Sequence, residues 1–239
     1  MSTTTTDRPQ LDLPGQAHVA RGPLDMTGMY GMHYAFRRDL TDFVAAARRT
    51  PVGEHAVWVA LQARWARFFE VLHHHHEAED THIWPATRAH AAALGRLDDV
   101  AVLDAMETDH EQIDPALQAC TDAFAAMVEH PCTDHRNALD LEVTEVRELL
   151  VTHLAGEERE AIPLIQELMT PEEWATSERA IAKEYGLGII PFAVPWVFKA
   201  LPADKVAEVE PFLDLPQRLL KRVLEPRFLR REAVAFRYV

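Results

Sequence analysis

Residues 73–85 read HHHHEAEDTHIWP, and the fold turns on where these side chains point. The stretch continues an apolar series, Val57, Leu61, Trp65, Phe68 and Leu72, spaced by three and four as on one face of a helix. His75, Glu79 and Ile83 prolong that series without a break, so an imidazole and a carboxylate fall on the face turned to the core. Two helical side chains four apart point the same way, roughly 5–6 Å apart at Cβ, so His75 and Glu79 can serve one ion or adjacent ions. A carboxylate on such a stripe is costly unless something pairs with it.

Three other segments share this periodicity. Met26, Tyr30, His33, Phe36, Leu40, Phe43 and Ala47 recur at helical spacing and stop before Pro51-Val52-Gly53. The helix that carries His75 stops near Gly95. Val100, Leu103, Met106, His110, Ile113, Leu117, Cys120, Phe124 and Met127 follow, ending at His130-Pro131. A fourth series, Leu139, Val143, Val146, Leu149, His153, Glu157, Ala161, Leu164 and Leu168, closes at Thr170-Pro171. Alternation of period two is nowhere sustained, so no strands are expected. The pattern predicts an all-α protein, an up-down-up-down four-helix bundle over residues 23–170.

Each stripe carries polar residues: His33 on the first helix, His75 and Glu79 on the second, His110 on the third, His153 and Glu157 on the fourth. One buried histidine alone reads as a hydrogen-bonded core residue, but one from each of four helices reads as a ligand set. In an antiparallel bundle, residues at equal depth lie symmetrically about the connecting turn. His33 and residue 77 centre on His55; residue 77 and His110 centre between Ala93 and Leu94; His110 and residue 155 centre inside His130-Pro131-Cys132-Thr133. All six candidates therefore fall at one level. Imidazole with carboxylate suits iron, and less exclusively zinc or manganese. Cations there would offset the burial of the acids.

Pro85, Pro115 and Pro163 follow Glu79, His110 and Glu157 by six, five and six residues. Each frees the carbonyl four residues earlier, at Thr81, Glu111 and Arg159. They are expected to bend the helices around a filled centre, or, with equal weight for Pro163, to end one helix and begin another.

The four-part pattern resembles the hemerythrin-like, or HHE cation-binding, domain. It has a His on the first helix, HxxxE on the second, a His on the third and HxxxE on the fourth. Here these are His33 in GMHYAFRRDL, His75 to Glu79 in HHHHEAEDTHIWP, His110 in METDHEQIDPAL, and His153 to Glu157 in THLAGEEREAIP. The similarity covers about residues 24–169, and the C-terminal third looks like the extension of some bacterial members. The resemblance implies a non-haem centre of two iron ions per chain, bridged by Glu79 and Glu157 and by an oxo group, with the histidines as terminal ligands. Oxygen-carrying members have HxxxH on the third helix, where this chain has Asp114 four after His110, and place the last acid five after its His, where Glu158 sits. Fewer imidazoles and an added acid would alter the second metal. His76 and Asp114 are the substitute ligands expected first, with Glu158 and Tyr30 as further candidates. Tyr30 reads more simply as core, and His73 and His74 are expected to face outward or to support the ligands.

The whole chain is compatible with this reading. Its 239 residues carry 38 Asp and Glu against 24 Lys and Arg, a formal charge of −14, with 48% apolar residues. That fits a globular protein with one substantial core or two small ones, and argues against a nucleic-acid backbone as partner. Cys120 and Cys132 are the only cysteines, so no disulfide framework is expected and a cytoplasmic location is the default. Residues 1–22, Thr-rich and without a signal-like apolar stretch, read as a mobile leader, and no apolar run reaches the ~20 residues of a membrane span.

Residues 171–239 read as a Pro-rich extension of short helices packing on the bundle. The apolar run 187–201 is read as a cap across one end of the bundle rather than a membrane-touching or partner-docking segment. Residues 216–239 hold seven Lys or Arg and two Glu, and this basic tail is expected to lie on the acidic body. Arg37-Arg38 and Asp98-Asp99 read as solvated faces.

Two metals roughly 3.5–4 Å apart could hold a diatomic or peroxide ligand if one coordination position stays open. The expected activity is therefore binding of, or reaction with, a small oxidant (O2, peroxide or nitric oxide). Catalase-like peroxide turnover fits a reduced imidazole count best. The alternative is an iron- or oxygen-sensing module without turnover, with the extension as reporter. A ferritin-like carboxylate site, from Glu70-x-x-His73 and Glu107-x-x-His110, is set aside because residues 24–53 contain no Glu.

Overall fold

The computed structural model describes residues 7–210 and 215–239; the first six residues of the expected leader, and Pro211, lie outside the described residues. All regular structure among the described residues is helical. Helix α1 spans Thr27–Arg49 and α2 His55–Ala78; α2 runs through a π-helical turn, Glu79–Ile83, into α3, Trp84–Ala93. Helix α4 spans Leu97–Glu129, and α5, Thr133–Gly156, runs through a second π turn, Glu157–Ala161, into α6, Ile162–Leu168. Helices α7 (Pro171–Phe198), α8 (Ala203–Val209) and α9 (Leu215–Ala235) follow. Helix α5 lies against both α1 and α4, and α2 against α4. No helix among the described residues is long and apolar enough to cross a membrane.

The apolar stripes meet in two cores. The larger, with Phe36, Phe43, Trp65, Phe68 and Phe124, fills the bundle on one side of the histidine level. The smaller, with Met26, Tyr30, Trp84, Leu103 and Ile162, fills the other. Along every one of the four helical rods the chain passes from one core to the other across the polar residues. Those residues are therefore enclosed between two dry layers. The turns are built for short reversals: Gly95, at φ +71°, closes α3 while Gly95 and Arg96 donate to the carbonyls of Ala92 and Ala91.

Two expectations are corrected here. The segment before α1 is tied down over residues 7–26 rather than mobile. Leu11, Leu13, Ala20 and Leu24 are buried, and Gln166 bonds both the N–H and the carbonyl of Leu24 at 2.9 Å. Isolated apolar anchors and hydrogen bonds to a distant helix leave no periodic trace in sequence. The extension, expected as short helices, contains the long α7 and α9 with Pro191, Pro195 and Pro226 inside them. An internal proline costs a helix about 3 kcal/mol. Burial of Ile189, Trp196 and Phe198 along α7 opposes that cost. Thr170 and Glu173 add a capping box, with Pro171 in the first turn, where its missing N–H costs nothing.

The extension is fastened to the bundle by buried charge. Asp39, on α1 and fully buried, accepts from Trp196 Nε1 at 2.7 Å, from Arg38 Nη2 at 2.8 Å and from Arg64 Nη2. Arg64 also reaches Glu232 of α9 at 2.5 Å, and Lys199 bridges Glu232 and Asp42 at 2.8 and 2.9 Å. The basic tail does pack along α2, yet this bond has the opposite polarity to the expected one: a tail glutamate meets a bundle arginine. Arg38, read from sequence as solvated, donates to the Trp196 carbonyl at 3.0 Å.

Burial alone would raise the Asp39 carboxyl, but Arg64, Arg38 and Lys199 override it and hold its pKa at about 2. The folded value lies below the ordinary ~3.9 of the unfolded chain. The stabilisation is therefore complete above about pH 4 and lost as the pH falls towards 2. Thermal midpoints measured across that window should fall more steeply for the native chain than for Asp39→Asn.

Candidate metal centre

Six of the seven polar side chains at the mid-level are those the stripes single out, and the seventh is His76. Helix α1 supplies His33, the last turn of α2 supplies His75 and His76, α4 supplies His110 and the last turn of α5 supplies His153. Both glutamates open π turns, in which the N–H of Trp84 bonds the Glu79 carbonyl and that of Ile162 the Glu157 carbonyl. The extra residue per turn lets Pro85 and Pro163 sit in the first turns of α3 and α6, where no N–H is required. The helices thus change type at the glutamates and begin again at the prolines; of Pro85, Pro115 and Pro163, Pro115 alone lies inside a continuous α-helix.

The side chains form two groups. The potential ligand atoms of His33, His75, Glu79 and Glu157 lie within 4.8 Å of one another, as do those of His76, His110 and His153. Glu79 places Oε1 3.3 Å from His75 Nε2 and Oε2 3.7 Å from His110 Nε2. Glu157 places Oε2 3.4 Å from His33 Nε2 and Oε1 3.5 Å from His153 Nε2. Each carboxylate therefore shows one oxygen to each group. His75 and His76, about 100° apart around α2, face different groups.

Most of the donor atoms lack protein partners; His110 Nε2 and His153 Nε2 lie 3.1 Å from each other. All seven residues are at most 4% exposed. Yet the Nε2 atoms of His33 and His75, both ring nitrogens of His76 and all four carboxylate oxygens of Glu79 and Glu157 accept or donate no hydrogen bond. Each such orphan costs about 1–3 kcal/mol, and more when charged. Burial, then the charges of Glu157 and Asp80, pushes the Glu79 carboxyl well above the usual range. Burial, then the neighbouring imidazoles, holds His75 and His76 well below theirs. Imidazoles and crowded carboxylates around one enclosed volume are compatible with cation binding. The residues fit iron, manganese or zinc.

Three further carboxylates stand behind the imidazoles. Glu158 Oε1 lies 3.1 Å from His33 Nδ1, Asp80 Oδ1 2.9 Å from His110 Nδ1 and Asp109 Oδ2 3.4 Å from His153 Nδ1. Each can accept the Nδ1 proton and leave the Nε2 lone pair facing inward. Glu158 is also gripped by Arg37, at 2.7 and 2.9 Å, and by the Ala17 N–H at 2.6 Å. Burial would raise the Glu158 carboxyl, but its bonds to His33 and Arg37 bring it below the ordinary value.

Several sequence candidates therefore change role. Glu158 supports His33 and lies in neither ligand group, and Arg37 is its counter-ion rather than a solvated charge. Asp114 is exposed and takes no part in either group. The Tyr30 hydroxyl is occupied by the Ala20 N–H at 2.9 Å, and its ring belongs to the smaller core. His73 is exposed, and the His74 ring rests 5.7 Å from that of Tyr185 on α7. Glu70 and Glu107 pair with Arg67 and Arg88, away from the centre.

Sequence reasoning missed Asp80 and Asp109 as supports. A signal was available: Asp80, Asp109 and Glu158 each adjoin a ligand in sequence while serving a histidine of a different helix. Replacing Asp80 by Ala should weaken metal binding by roughly 10–100-fold in a chelator competition. Asp109→Ala should cost less, because its contact is longer and its side chain is 42% exposed.

A cleft of about 290 Å3 lined by Asp109, Gln112, Glu145, Glu148, Thr152 and their apolar neighbours reaches His153 between α4 and α5. A family model, the Hemerythrin HHE cation binding domain, matches residues 27–165, from the first turn of α1 into α6. No curated protein and no solved structure matches the chain.

Proposed function

The chain belongs to the hemerythrin HHE cation-binding family, and from that premise we propose that it is a non-haem di-iron protein for a small oxidant: O2, peroxide or nitric oxide. The observation that carries this reading is the placement of Glu79 and Glu157, each with one oxygen towards each histidine group. His33 and His75 would hold one ion, and His76, His110 and His153 the other. Both glutamates would bridge. The first group then offers four donors and the second five, so the His33–His75 side is the one left open. When bound, the iron pair supplies one-electron changes at two adjacent ions and an open coordination position. The protein does the rest: Glu158, Asp80 and Asp109 fix the ring orientations, and the two apolar cores keep bulk water from the pair.

His76 changes one expectation. Counting His76, five imidazoles would surround the pair, and the shortage inferred from Asp114 would disappear. The preference for peroxide turnover over oxygen binding loses its basis. The discriminating experiment exposes iron-loaded protein in turn to O2, peroxide and nitric oxide. A spectral change with at least one, and O2 release if peroxide is turned over, is expected; no response to any of the three would exclude this function. For the fold, we propose the up-down-up-down path over residues 23–170 with residues 171–239 as an extension, in the cytoplasm.

A sensing reading has one specific support. Helix α7 touches the π turn that begins at Glu79: Ser177 Oγ donates to the His82 carbonyl at 3.0 Å, and Glu184 lies 2.9 Å from His82 Nε2. Metal occupancy would then alter proteolytic cleavage within residues 171–239. An identical pattern with and without iron would remove this reading.

A further inference from the structure

A second cavity lies far from the imidazoles. Helices α2, α7 and α9 enclose a cleft of about 760 Å3, within the roughly 300–1,000 Å3 of small-molecule sites. Phe192, Leu224 and Phe228 give it apolar walls. Its rim carries Arg227, Arg230 and Arg231, none of which has an acidic partner among the described residues. At its floor Arg64, 6% exposed, spends Nε on Glu232 and Nη2 on Asp39, while its buried Nη1 finds no acceptor. The chain as a whole carries −14, so an apolar concavity ringed by unpaired arginines stands out against the rest of the molecule.

We propose that this cleft binds a single-chain amphiphilic carboxylate, a fatty-acid-like anion. The hydrocarbon would lie on the Phe192, Leu224 and Phe228 walls, and the carboxylate would take the arginine rim. Two observations select one charge on a hydrocarbon rather than a compact polyanion. The walls are apolar, and the Glu232 carboxylate, itself in the lining, repels a multiply charged group more than a single carboxylate. The site is independent of the metal centre.

Calorimetric titration of the full-length iron-loaded protein with decanoate, below its micelle concentration, tests this. One decanoate per chain is expected, with decan-1-ol and decyltrimethylammonium at least about 10-fold weaker. Ala63, exposed on the cleft wall, gives a plugging variant, Ala63→Trp, that should cut affinity by about 10-fold or more with helix content unchanged. The pair Arg230→Gln and Arg231→Gln should cut it by at least about 5-fold. Equal affinity for decanoate and decan-1-ol would overturn the proposal, as would decanoate binding untouched by Ala63→Trp. Binding to anionic phospholipid vesicles without saturable binding of monomeric decanoate would overturn it too, assigning the arginines to a membrane surface.

Discussion

Replacing Glu79 or Glu157 by Ala should reduce bound metal from two ions per chain to at most one. Each carboxylate faces both histidine groups, so a single substitution removes a donor from each. The loss in affinity should exceed that of any supporting acid, on the order of 100-fold or more. Stability should move in opposite directions in the two forms. Without metal, removing one of two crowded buried carboxylates relieves repulsion, and the thermal midpoint should hold or rise. With metal present, the stabilisation by bound ions is lost and the midpoint should fall. A residue that merely packed would lower both. Metal analysis paired with calorimetry of the two forms separates these outcomes.

Arg64→Ala should be the most damaging substitution away from the centre. It leaves Asp39 and Glu232 buried without their shared counter-ion. Breaking a buried pair in this way costs about 3–5 kcal/mol. In a chain of this size that lowers the thermal midpoint by roughly 6–20 °C. Adding Asp39→Asn and Glu232→Gln to Arg64→Met should recover part of the loss, because the charges go together. The metal content of the folded fraction should stay unchanged. A loss confined to the first variant, with recovery in the triple variant, identifies electrostatic fastening of α7 and α9 rather than lost packing.

The stripes revealed the cluster because its polar residues interrupt an apolar pattern. His33, Glu79 and Glu157 each stand where a Leu or Phe would continue the face, and that departure is legible in a single sequence. His76 was harder: it belongs to the neighbouring face of α2 and joins His110 and His153 only because α4 and α5 approach that side. The supporting acids were only partly legible: each adjoins a residue of the cluster in sequence, but the histidine it serves lies on another helix. Asp80 serves His110 across a helix interface, and a helical wheel of one segment holds no information about its neighbour. The π turns escaped because a one-residue insertion in a helix changes hydrogen bonding without changing composition; the proline six after each glutamate was their trace. In the extension, prolines overstated their case. Tertiary burial of Trp196 and its bond to Asp39 hold α7 together across Pro191 and Pro195.

The most direct measurement is metal analysis of the purified protein with its absorption spectrum before and after oxidation. Two irons per chain, with a near-ultraviolet band of a bridged diferric pair that disappears in Glu79→Ala, is the expected result. A single zinc per chain and a featureless spectrum would contradict a paired-iron centre at these seven side chains.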